Sequence, residues 1–261
     1  MSELNRPVFN FAGKSVLVTG ATSGMGAATA EAFARSGASV VLAGRSHTRA
    51  EPLLERIRSC GVQAHFVAGD IGDAGYCQRL VVETSSLIGT PDVVVNSAGV
   101  IYHATAEETT DSQWLDTFNV NVHGMFYLCR AVIPAMRNKG GGVIINIASD
   151  AALSGSQHLV AYCASKGAVL QMTRAMAVDH ARDHIRVVAI CPGDVDTAML
   201  RGEFRDRGIS LEQGLAESAA AVPLNRVCSA EEIADMVLFA ASDSARFITG
   251  YPLVVDGGSR A

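Results

Sequence analysis

Tyr162 and Lys166 stand four residues apart in the stretch YCASK, and Ser149 lies thirteen positions before the tyrosine in INIASD. On a helix, positions i and i+4 project from one face. A phenol and an ammonium held side by side are the parts of an acid/base pair. A free phenol ionises near pH 10, about three pH units above neutrality, and each unit corresponds to about 1.4 kcal/mol. A neighbouring ammonium favours the phenolate and is expected to bring that value down. A packing tyrosine beside a solvated lysine has the same spacing, so the surrounding elements must decide between the two.

Those elements form a regular series. Short β-branched runs occur at 15–19, 39–43, 64–68, 92–96, 142–148, 185–190 and 252–256, separated by amphipathic segments such as GAATAEAFARSG and EEIADMVLFAAS. Strands alternating with helices imply crossover connections and a parallel sheet covered on both faces. The expected fold is α/β, a doubly wound parallel sheet of about seven strands forming one domain over 1–261. The stretch 197–224 carries more glycine and charge than a crossover helix needs. It follows the sixth strand, where ligands of such sheets bind, and is expected to be a substrate lid or a surface excursion with small helices.

Directly after the first strand comes TGATSGMG, residues 19–26, and then an apolar helix. Glycines here let the backbone approach a pyrophosphate, with the helix N-terminus adding partial positive charge. The candidate contacts are Gly20, Thr22, Ser23, Gly24, Met25 and Gly26. This TGxxxGxG turn followed later by YxxxK resembles the single-domain short-chain dehydrogenases/reductases, and the resemblance runs from residue 13 to 259.

The resemblance implies a Rossmann-type fold with a nicotinamide dinucleotide at the carboxyl ends of the strands. It also implies roles. Tyr162 would exchange a proton with an alcohol or carbonyl substrate and Ser149 would hydrogen-bond the same oxygen. Lys166 would hold the nicotinamide ribose, its charge and that of oxidised nicotinamide together acidifying the phenol. Asn121, rather than Asn119 in the same stretch FNVNVHG, would position a water leading from Lys166 to solvent. Cofactor contacts would come from Asp70 and Ile71 in GDI and from Asn96, Ala98 and Gly99 in NSAG, where Ser97 replaces a usual asparagine. The PGDVDT segment would add Pro192, Gly193, Val195 and Thr197, and Tyr162 and Lys166 complete the set. At the end of the second strand stand Gly44, Arg45 and Ser46, with no acid to repel a 2′-phosphate. NADP(H) is therefore the expected cofactor and NAD(H) the alternative. Relatives of this kind commonly form tetramers, and Met125, Phe126, Leu128, Leu170 and Met172 would suit either an interface or a core.

Composition narrows the field further. A net charge of -5 without a run of like charges gives no footprint for nucleic acid or an anionic membrane surface. Six cysteines without a CxxC pair suggest neither a disulfide framework nor zinc, and fit a reducing, cytoplasmic setting. The first ten residues lack the features of a secretory signal, and no apolar run is long enough to span a membrane. Near the predicted pocket, Asp150, Asp194, His103, Gln157 and His158 could meet extra hydroxyls, which points to a small polyol, sugar or hydroxy-ketone. Two other readings stay open: a catalytically silent dinucleotide-binding redox sensor or scaffold, and a sugar-nucleotide epimerase or dehydratase. The glycine spacing and the short C-terminal region disfavour the second of these.

Overall fold

The computed structural model of the chain describes residues 9–261. Every β-branched run becomes a strand: β1 Ser15–Thr19, β2 Ser39–Gly44, β3 Ala64–Ala68, β4 Val93–Asn96, β5 Gly142–Ile147, β6 Ile185–Pro192 and β7 Pro252–Val255. The bounds differ from expectation by one or two residues. Asp92, for example, stands just before β4, where its carboxylate accepts the Ser15 amide at 2.9 Å and pairs with Lys139 at 2.8 Å. The connections hold α1 Gly24–Arg35, α2 His47–Arg58, α3 Ala74–Ile88, α4 Asp111–Phe118, α5 Met125–Lys139, α6 Val160–His180, α7 Ala198–Asp206, α8 Leu211–Ala220 and α9 Ala230–Ala241.

The seven strands pair in parallel in the order β3-β2-β1-β4-β5-β6-β7. Their side chains alternate between two helix layers. Val16 and Val18 pack with Phe33 of α1, Ile57 of α2 and Ile233 of α9. Leu17 faces Leu80 of α3, Leu128 of α5 and Val169 of α6. Because both faces are covered, the strands read as continuous apolar runs. Truncating a fully buried residue such as Phe33 would cost about 3–5 kcal/mol. Of the residues that would suit an interface or a core, Met125, Leu128 and Leu170 are buried and Phe126 is exposed.

The first strand, β1, lies inside the sheet; the chain then runs outward through β2 and β3 and returns to place β4 on the other side of β1. Loops leaving β1 and β4 therefore diverge and open a crevice beyond the strand ends. The segment after β6 departs from this plan. Val195 and Cys228 pair as an isolated bridge, with Asp196 N donating to Cys228 O at 2.9 Å, so the excursion leaves and returns at one point. Between these stems α7 and α8 form a hairpin, held by Phe204 on Gly214, where a Cβ would come within 2.4 Å of the ring. Among the described residues, no helix is long and apolar enough to cross a membrane. No group of His, Cys, Asp and Glu among them could hold a metal ion.

Candidate active site

The turn from β1 into α1 uses left-handed backbone at Gly20 (φ +62°) and Gly24 (φ +52°), which glycine adopts without strain. Close approach also demands glycine: a Cβ on Gly20 would lie 2.7 Å from Ala98 Cα, and one on Gly26 2.4 Å from Gly20 O. Thr19 Oγ1 accepts the amides of Ser97 (3.1 Å) and Ala98 (3.3 Å), which ties this turn to the loop after β4. Ser23 precedes α1 without capping it by its side chain, and the first turn of α1 holds no acid. The first amides of α1 are thus left as donors with partial positive charge.

This turn opens on a cavity of about 230 Å³. Gly20, Thr22, Ser23, Gly24, Met25 and Gly26 line one wall. Arg45 and Ser46 after β2, Asp70 and Ile71 after β3, Ala98 and Gly99 after β4, and Thr197 before α7 line the others. A glycine cradle that no Cβ could share, a bare helix end and two flanking polar loops fit a dinucleotide. Asp70 uses Oδ1 to accept the Gly72 amide at 2.9 Å and is exposed. Arg49, on the first turn of α2, also lines the cavity. It is a second cation beside Arg45, and its only sequence signal is its place three residues after Ser46, whose Oγ accepts the Arg49 amide.

Six of the expected cofactor contacts, Asn96, Pro192, Gly193, Val195, Tyr162 and Lys166, do not line this cavity. Asn96 points into the helix layer, where its Nδ2 donates to Asn146 Oδ1 at 2.8 Å and Asn146 in turn donates to Thr173 Oγ1 at 2.8 Å. That buried amide pair takes the side chain away from the crevice. Pro192, Gly193 and Val195 also stand outside the cavity wall. Pro192 ends β6, Gly193 N donates to Val255 O at 3.1 Å, and Val195 is buried in the stem of the α7–α8 hairpin.

Ser149, Tyr162, Lys166 and Asn121 come together beyond the ends of β4 and β5. Lys166 is 5% exposed, donates from Nζ to Ile147 O at 2.8 Å, and lies 5.5 Å from the centre of the Tyr162 ring. Asn121 sits in a π-helical turn, Asn119–Gly124, between α4 and α5. Its Nδ2 donates to Val100 O and to Ser165 Oγ, both at 3.0 Å, and its Oδ1 accepts the Val100 amide at 2.8 Å. A Cβ on Gly99 would meet Asn121 Oδ1 at 3.4 Å and Lys166 Nζ at 3.7 Å, so both polar ends border this glycine. Asn119 instead packs on Gly72. Ser149 Oγ donates to Asp150 Oδ1 at 3.0 Å and accepts the Ala151 amide at 3.1 Å.

The electrostatics differ from the expected acidified phenol. Burial pushes the Tyr162 hydroxyl above its ordinary value, the Ser149 hydrogen bond pulls the other way, and Glu203 and Asp150 push it further up. Burial also brings Lys166 down from 10.5 to about 8. Desolvation of the phenol outweighs the ammonium, which is itself desolvated and turned to a carbonyl. Burial and the two carboxylates thus favour the protonated phenol.

The polar residues expected around the substrate divide into three groups. Asp150 is already engaged, since Arg260 Nε donates to its Oδ2 at 3.0 Å while Ser149 takes Oδ1. His158 is exposed and left-handed (φ +56°), and holds the loop by accepting the Ala104 amide at 2.7 Å; Gln157 beside it is exposed. Asp194 is exposed in a small hollow with Arg226 and Asp256, yet its charge reaches Glu203. His103 Nε2 lies 3.2 Å from Glu203 Oε2 of α7. Glu203 and Arg260 escaped the sequence reading. Glu203 shares a helix face with Leu200 and Phe204, a spacing that could have marked it as half-buried; Arg260 reaches the site only through the fold.

Comparison with known proteins agrees with this architecture. A family model described as enoyl-(acyl carrier protein) reductase matches residues 20–260. An uncharacterized oxidoreductase of Thermotoga maritima is 38% identical over 252 residues, 97% of this chain and 99% of its own. D-threitol dehydrogenase of Mycolicibacterium smegmatis is 36% identical over 251 residues, 96% of this chain and 94% of its own. A crystal structure of an actinorhodin polyketide ketoreductase variant with NADPH superposes with a TM-score of 0.90 at 33% identity, covering 94% of this chain and 97% of that one.

Proposed function

This chain belongs to the short-chain dehydrogenase/reductase family of oxidoreductases, and from that premise we propose that it is an NADP(H)-dependent alcohol dehydrogenase or carbonyl reductase acting on a small polyol, sugar or hydroxy-ketone. The observation that carries the reading is the meeting of Ser149, Tyr162, Lys166 and Asn121 beside a glycine-walled crevice. The cofactor, when bound, supplies or accepts hydride at its nicotinamide ring. Tyr162 gives the proton to the substrate oxygen in reduction and takes it in oxidation. Ser149 hydrogen-bonds that oxygen as charge develops. Lys166 holds the nicotinamide ribose, and its ammonium favours the phenolate whenever the proton has left. Asn121 anchors the backbone at Val100 and keeps an acceptor close to Lys166, which suits a proton path to solvent.

The NADP(H) preference rests on Arg45 and Arg49 lining one end of the crevice. The substrate class is supported by the charged side chains near Tyr162 and by the likeness to a tetritol dehydrogenase. The α7–α8 hairpin acts as the lid, and the family's habit of tetramer formation extends to this chain. Turnover is tested by following NADPH and NADH absorbance over polyols, sugars, hydroxy-ketones and bulky apolar ketones. Tyr162→Phe should abolish turnover and leave dinucleotide affinity within about threefold of wild type. Full activity in that variant refutes the mechanism, and dinucleotide binding without turnover of any alcohol or carbonyl favours a silent sensor.

A further inference from the structure

The strongest unassigned feature is the carboxyl group of Glu203. In the sheet, β5 lies between β4 and β6. Ser149 follows β5, His103 lies in the segment after β4, and Glu203 is on α7 after β6. The contact of His103 Nε2 with Glu203 Oε2 at 3.2 Å therefore spans the exit of β5, across the place where a substrate oxygen would meet Ser149 and Tyr162. Glu203 lies close enough to Tyr162 that its charge raises the phenol.

Leu200 and Phe204, buried on the same face of α7, fix the direction of this side chain. Its side chain is 21% exposed, and among the described residues no protein donor meets Oε1. One oxygen thus lies beside His103, and the other is left to accept a hydrogen bond from a group that enters between α7 and Tyr162. Asp150, the other acid near Tyr162, is committed to Ser149 and Arg260.

We propose that Glu203 is a specificity-determining residue whose free oxygen accepts a hydrogen bond from a second hydroxyl of the substrate, adjacent to the carbon that exchanges hydride, so that the site prefers vicinal diols and α-hydroxyketones. The inference rests on the oxidoreductase reading above. Its electrostatics are consistent: burial, reinforced by Asp194, pushes Glu203 up to about 7, with Arg207 opposing. A partly desolvated acceptor of this kind gains from a hydroxyl partner. Burial holds His103 below its ordinary value, which favours the neutral ring in its contact with Glu203.

The test compares oxidation of a four-carbon vicinal diol with that of the mono-alcohol of the same skeleton, in wild type, Glu203→Ala and Glu203→Gln, with NADP+ saturating as the hydride acceptor. Wild type should favour the diol in kcat/KM. Glu203→Ala should lower the diol-to-mono-alcohol ratio by about ten- to a hundredfold, the range of one hydrogen bond to a charged or desolvated partner. Glu203→Gln keeps an acceptor oxygen and should recover most of the ratio. Thermal melting accompanies each variant, and the ratio is internal to one preparation, so a merely structural role would lower both substrates together and leave it unchanged. An unchanged ratio in Glu203→Ala overturns the assignment while leaving the oxidoreductase reading intact. Turnover of neither alcohol by wild type overturns both.

Discussion

Burial of Lys166 must cost stability, and the cost can be worked out. Its ammonium is 5% exposed, has the Ile147 carbonyl as its hydrogen-bond acceptor, and is brought by burial from 10.5 to about 8, with only Cys191 pulling back. That difference corresponds to about 3 kcal/mol against the folded chain at neutral pH. Lys166→Met removes the penalty but strands the Ile147 carbonyl, which returns about 1 kcal/mol. The net gain of about 2 kcal/mol should raise Tm by about 4–8 °C at this chain length. Its sign with pH is fixed. Below about pH 8 both folded and unfolded lysine are charged and the penalty is complete. Between about 8 and 10.5 the folded lysine sheds its proton first, wild type recovers, and the advantage of the variant fades.

The assay is thermal unfolding by circular dichroism without added dinucleotide, at a series of values from about pH 6 to 10.5. Turnover should be lost in the same variant if Lys166 has the proposed role, an instance of stability exchanged for function. A variant less stable than wild type at pH 7, or a gain that persists at the alkaline end, would refute the reasoning.

The cofactor half of the site gives two more predictions. Arg45→Asp and Arg49→Ala should each weaken NADPH by about thirtyfold, since a cation near a doubly charged phosphate in a water-like setting is worth about 2 kcal/mol; NADH should change less than about threefold, and equal losses in fluorescence titrations would remove the NADP(H) assignment. Gly26→Ala should lower stability by more than about 2 kcal/mol and weaken both dinucleotides, because its Cβ would sit 2.4 Å from the Gly20 carbonyl oxygen and backbone cannot yield as a side chain does; unfolding in urea with unchanged midpoint would contradict this.

The sheet was legible because its central strands are buried on both faces and so had to be continuous apolar runs between turns. The same holds for Gly20, Gly24 and Gly26, whose spacing records a close backbone approach. Asn96 misled for a physical reason. It has the residue type of a cofactor contact, but at the buried end of β4 its amide has a better partner in Asn146. Residues 197–224 stood out by their glycine and charge content, yet only the fold shows that Asp194 O and Cys228 N close the stem at 3.1 Å. Arg49 and Glu203 lie on amphipathic helices whose half-buried flank resembles any other. Arg260 and Asp150 are 110 positions apart, and no local pattern could join them.

The contact of Arg260 with Asp150 bears on the proposed chemistry through Ser149. A hydroxyl has one hydrogen to give. Ser149 donates it to Asp150 Oδ1, while its oxygen accepts the Ala151 amide. That commitment competes with the Tyr162 hydroxyl, whose hydrogen bond with Ser149 pulls the phenol down against the upward push of burial. A substrate oxygen that takes a hydrogen bond from Ser149 must win the same hydrogen from Asp150. Arg260 lowers that barrier, because a carboxylate already sharing its charge with a guanidinium at 3.0 Å is a weaker competitor for a neutral hydroxyl. The Arg260–Asp150 pair thus bears on how firmly Ser149 is held beside Tyr162.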